Sequence, residues 1–64
     1  MMTERFSLSE LRREAERETK MREVVYDGRV RAGKMKPQEA AERIDKMREI
    51  ARRLRLEEEK ERLL

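Results

Sequence analysis

The sequence predicts an all-α fold, an antiparallel two-helix hairpin, and three observations carry it. A capping sequence opens a helical stretch at Ser7, and Gly33 closes it. Pro37 then opens a second stretch whose apolar residues recur at helical spacing. Two helices joined by so short a link pack as antiparallel neighbours.

Helix 1 is expected over about residues 7–32, after a flexible arm at residues 1–6. Ser7-Leu8-Ser9-Glu10 is a capping box. In that motif the Ser hydroxyl accepts from the Glu amide, and the Glu carboxylate reaches back to the Ser amide. Phe6 and Leu11 stand at the spacing of a hydrophobic staple. Apolar residues then run Leu8, Leu11, Ala15, and return at Met21, Val24, Val25 and Val30. The intervening Glu16–Lys20 is nearly all polar, so the stripe is weak in mid-helix. Charge pairs at i,i+4 support it there: Arg12 with Glu16, Glu16 with Lys20, Glu18 with Arg22. Each contributes about 0.2–0.5 kcal/mol. Asp27-Gly28 is a turn signal inside a helical pattern, and is read as a kink rather than an end. Gly33 is the better terminator, since glycine readily takes the left-handed conformation that closes a helix.

The turn spans 33–36. Pro37 fits the first turn of helix 2, where its missing N–H is harmless, and Glu39 suits the positive end of the helix dipole. Helix 2 is expected over about 37–56. Ala40, Ile44, Met47, Ala51 and Leu54 recur at 4, 3, 4, 3, a heptad-like seam widened by Ala41 and Ile50. Glu39-Arg43, Glu42-Lys46 and Glu49-Arg53 are favourable i,i+4 pairs. After Leu56 the seam fails, leaving 57–64 as a charged, frayed helical tail.

The chain has 64 residues, of which 52% are charged and 36% apolar. That length holds one domain. A domain of this size buries too little surface for more than marginal stability, and without cysteine no disulfide helps. Self-association or a partner is therefore expected, and two hairpins forming a dimeric four-helix bundle is the economical answer. The dimer seam or protein-interaction face falls on Leu11, Ala15, Val25 and Tyr26 of helix 1, with Ala40, Ile44, Met47, Ala51 and Leu54 of helix 2.

Catalysis, cofactors and metals find no candidates. With no Cys and no His there is no zinc site and no thiol or imidazole nucleophile or base. Carboxylates are plentiful, but a two-helix hairpin offers no cleft in which to shift their pKa values. Glu57, Glu58 and Glu59 are consecutive, so they point in different directions and read as a solvated acidic end. No small-molecule substrate is indicated. Nothing apolar is long enough to span a membrane, and the first residues lack a signal-peptide pattern. A cytoplasmic location is expected.

All of the net charge of +3 falls within residues 21–36, where Arg22, Arg29, Arg31, Lys34 and Lys36 stand against Glu23 and Asp27. The hairpin tip is thus basic. Contact with nucleic-acid phosphates is one use of such a tip. Ordinary surface charge, with cations favoured at a helix C-terminus, is the simpler explanation. One Tyr and one Phe make no base-stacking platform.

Met21-Arg22, Val25-Tyr26, Val30, Gly33-Lys34-Met35, Glu39-Ala40, Ile44 and Met47 form a pattern over residues 21–50. It resembles a family of small uncharacterised phage and prophage proteins. The sequence departs from that pattern at Asp27, where many members have Pro, and at Lys36-Pro37, where a capping Thr or Ser is usual. The resemblance implies a phage accessory protein in the host cytoplasm and implies no activity. Two functions are thus expected to compete. One is a non-enzymatic helical protein binding itself, or a host or phage protein, through the apolar face of helix 2. The other is a nucleic-acid accessory protein using the basic tip.

Overall fold

A computed structural model describes residues 5–63. Two helices account for nearly all of them: α1, Leu8–Arg31, and α2, Pro37–Leu63. They lie side by side and antiparallel in a rod of 48 × 20 × 16 Å. Residues 1–4 of the expected arm, and Leu64 of the expected tail, lie outside the described residues.

Local chemistry sets both ends of α1. The Ser7 Oγ accepts from the Glu10 amide at 3.1 Å. The return half of the box differs from expectation: the Glu10 carboxylate accepts from the Ser7 hydroxyl, not from the Ser7 amide. At the other end Gly33 has φ +74, the left-handed conformation expected of it. Its amide donates to the Val30 carbonyl at 3.0 Å, and the Lys34 amide donates to the Arg29 carbonyl at 2.8 Å. These two bonds are the Schellman closure, which satisfies carbonyls a helix end otherwise leaves unpaired. Between the caps α1 runs unbroken through Asp27-Gly28. Gly28 keeps an ordinary helical φ, its carbonyl accepts from the Ala32 amide, and Asp27 pairs with Arg31 at 3.1 Å.

α2 starts without a side-chain cap. The Lys36 carbonyl accepts the first helical bond, from Ala40, and Pro37 occupies the first turn. The helix continues through the charged segment to Leu63, so residues 57–63 belong to α2 itself.

The seam between the helices is narrow and built from small residues. Ala15 and Thr19 of α1 and Ala40 and Ala51 of α2 are buried, and among the described residues no larger side chain is fully enclosed. Such short side chains let helix backbones approach closely. The Thr19 hydroxyl meets its need for a partner by donating to the Ala15 carbonyl at 2.9 Å. The sheltered positions of α2 that face α1 obey one rhythm, Ala40, Ile44, Met47, Ala51, Leu54, then Glu58; Glu49, also half-buried, lies off it. The sheltered row of α1 is Leu8, Arg12, Ala15, Thr19, Arg22, Tyr26 and Val30. Both rows keep a heptad period, the one on α1 as far as Tyr26, but the α1 row passes through three polar side chains.

Candidate interaction surface

With the seam occupied, each hairpin presents two long faces, and they differ in chemistry. One is latched by charge. Glu23 of α1 accepts from Arg48 of α2 at 3.0 Å, and Glu16 accepts from Arg55 at 2.7 Å. Arg12 donates through its Nε to Glu58 at 2.9 Å, with a longer second leg at 3.5 Å, and through Nη1 to Glu16 at 2.9 Å. The result is a chain of alternating sign, Glu58–Arg12–Glu16–Arg55, that crosses between the helices twice. Its Arg12 and Glu58 side chains are only 17% and 20% exposed, because the pair sits on the seam rather than beside it. Networks of this kind contribute more than isolated surface pairs, whose individual contribution is about 0–1 kcal/mol.

These contacts shift the carboxylates downward. Hydrogen bonding from Arg12 holds Glu58 below its usual range, and hydrogen bonding from Arg55 does the same for Glu16. Glu49, gripped on α2 by Arg52 at 2.6 Å and Arg53 at 2.9 Å, is pulled to about 2. A carboxylate whose pKa is depressed in the folded state stabilises that state above its unfolded pKa and ceases to do so as pH falls through the folded value. The melting temperature is therefore expected to hold between pH 7 and pH ~5 and to fall from pH ~4.5 towards pH ~2. Thermal melts followed by circular dichroism check this. A Glu16→Gln/Glu58→Gln variant should start lower at neutral pH and lose less on acidification. Parallel acid profiles for the two proteins would show that the network carries no such linkage.

Among the described residues, the opposite face has no ion pair between the helices and carries exposed apolar side chains. Leu11 and Val25 of α1 are 41% and 44% exposed, and Ile50 of α2 is 48% exposed. Their positions along the helices bring them to one side of the seam, flanked by half-buried Met47 and Leu54. Charge interrupts this side at Glu18, which pairs with Arg22 at 3.1 Å while Arg22 also donates to the Arg43 carbonyl. It does so again at Arg43 and Glu57, one heptad either side of Ile50, which pair with Glu39 at 3.4 Å and Lys60 at 3.3 Å.

The nine residues expected to share one face thus divide. Ala15, Ala40 and Ala51 are buried between the helices, with Tyr26, Ile44, Met47 and Leu54 half-buried along the same line. Leu11 and Val25 lie off that line, on the open side. The apolar stripe of helix 2 is largely consumed by α1, so the surface left over is shared by both helices. Ile50, which merely widened the helix 2 stripe, becomes the most exposed large side chain on it.

At the basic tip the five cations have different surroundings. Arg22 pairs with Glu18 and Arg31 with Asp27, while the Arg29 guanidinium lies 5.9 Å from the centre of the Tyr26 ring. Lys34 and Lys36 form no ion pair among the described residues. Of the sequence-expected pairs, Glu16–Lys20 does not form, because Arg55 takes the Glu16 oxygen. Glu58 was not singled out from the acidic end, and its place in the 4,3,4,3,4 rhythm is the signal that identifies it. The described residues hold no group of three carboxylates placed to bind a metal ion, and no helix among them is long and apolar enough to cross a membrane.

These features define a class: an antiparallel helical hairpin with one charge-latched face and one open apolar face. Searches against family models, curated proteins and solved structures return no match.

Proposed function

We propose that this chain is a non-enzymatic helical interaction protein that binds another protein surface through its open apolar face. One observation carries the reading. Among the described residues the hairpin buries only alanine and threonine, which leaves Leu11, Val25 and Ile50 part-exposed along a single side, and large apolar side chains gathered on one side are characteristic of contact sites. The resemblance of residues 21–50 to small phage and prophage proteins supports an accessory role in a host cytoplasm.

Capture from host lysate by the tagged chain, with nuclease present, tests the face. Ile50→Glu should reduce recovery of the partner at least tenfold, equivalent to about 1.4 kcal/mol. Reversing Arg29 and Arg31 to Glu should leave recovery unchanged. The opposite pattern, with recovery lost to nuclease and to tip reversal, would move the function to phosphate contact at the tip.

A further inference from the structure

We infer that the occupant of the open face is a second copy of this chain, laid with its basic tip at the opposite end. This rests on the reading of that face as a contact surface, and two further observations select the partner and its direction.

The first is area. The chain exposes 5704 Å², whereas surface scaling gives about 4,400 Å² for a compact monomer of 7.8 kDa. Each hairpin thus carries an excess of about 1,300 Å². Two copies hiding that excess against each other bury about 2,600 Å², inside the roughly 2,000–5,000 Å² range of obligate homodimers. A copy of the same chain matches the face in length as well, since the apolar residues run from Leu11 near the open end to Val25 near the tip. Their midpoint falls close to the Thr19–Ala51 level of the seam, where a twofold axis lays Leu11 of one copy near Val25 of the other.

The second is charge. The tip, residues 21–36, carries the whole +3 of the chain, while residues 57–63 carry Glu57, Glu58, Glu59 and Glu61 against Lys60 and Arg62. Tips at the same end bring two +3 segments together. Tips at opposite ends set each basic tip beside the acidic last turns of the other copy. Like-charge juxtaposition disfavours the first arrangement, and complementarity favours the second.

The chain has no cysteine, so Ala32→Cys, exposed at the tip, provides one labelling site per copy. Sedimentation equilibrium of the purified chain should give a dimer. Spin labels at that site should lie about one hairpin length apart, on the scale of the 48 Å long axis, rather than of the 16–20 Å thickness. A short label distance, or an assembly larger than two, overturns the arrangement. Ile50→Glu should dissociate the dimer, while Leu56→Glu, exposed on the far side of α2, should not. Ile50→Glu that unfolds on dissociation leaves the label distance of the unsubstituted face as the deciding measurement. A fully helical monomer at every concentration overturns the second copy but leaves the face to a different protein. A dimer that persists in Ile50→Glu would overturn the face itself.

Discussion

Ala51→Leu is expected to destabilise the hairpin by about 1–3 kcal/mol, the usual cost of forcing extra methylenes into a packed contact. Ala51 is buried on the seam level with Thr19, where both facing side chains are short. A leucine there adopts a poor rotamer, pushes α1 away, or turns into the open groove between the Glu23–Arg48 and Glu16–Arg55 bridges. Separation of the helices at this level also stretches the bridges on either side, Arg48 to Glu23 and Arg55 to Glu16. For a chain of this size each kcal/mol lowers the melting temperature by about 4–8 °C. Ala41→Leu, exposed on the same helix, is the control and should melt with the unsubstituted chain. Equal melting temperatures for the two variants would mean that the seam is loose enough to accept a large side chain.

Arg12→Glu should produce the largest loss from any single charge change. It removes the central cation of the Glu58–Arg12–Glu16–Arg55 chain and leaves three carboxylates facing one another at a sheltered position. Removing one partner of a sheltered pair leaves the other charge uncompensated, which is why such changes exceed the net contribution of the pair itself. Adding Glu58→Arg to the same protein restores opposite charges across the seam. That double variant should recover a large part of the lost melting temperature, though not all, because repulsion from Glu16 persists within α1. High salt should narrow the gap between the single variant and the parent. A double variant no more stable than the single one would show that Arg12 acts through packing of its stem and not through charge.

The elements were legible because their signals are local. Ser7 with Glu10, Gly33 and Pro37 each act within one turn of chain, and each stands where its chemistry places it. The seam on α2 was legible for a related reason: Ala40 to Leu54 are all apolar, so hydrophobicity and period agree. On α1 they disagree. Its sheltered row runs through Arg12, Thr19 and Arg22, so a search for apolar residues follows Leu11 and Val25 instead and drifts onto the neighbouring face. Arg12 and Glu58 are separated by 46 residues. In a chain where charged residues are 52% of the total, most basic side chains have several acidic ones at plausible spacing. The choice among them is made by helix register, which exists only after the hairpin has formed. The open face is illegible for the same reason, since it is what remains of two amphipathic surfaces once part of each has been hidden by the other.

The short turn also fixes the order in which the molecule assembles. Closing a link of five residues between Arg31 and Pro37 costs little chain entropy, and that cost rises only slowly for more distant contacts. Helices of this length form in about 0.1–1 μs, and loops of about ten residues close in about 10–100 ns. Contacts beside the turn, such as Val30 near Ala40, therefore form first, and pairing advances away from it through Tyr26 and Ile44, then Thr19 and Ala51. Arg12 meets Glu58 last. Opening runs in reverse, so among the hydrogen-bonded amides exchange is fastest towards the two chain ends and slowest in the last turns of α1 and in the turns of α2 that follow Ala40, and the charge network acts as the clasp on a zipper.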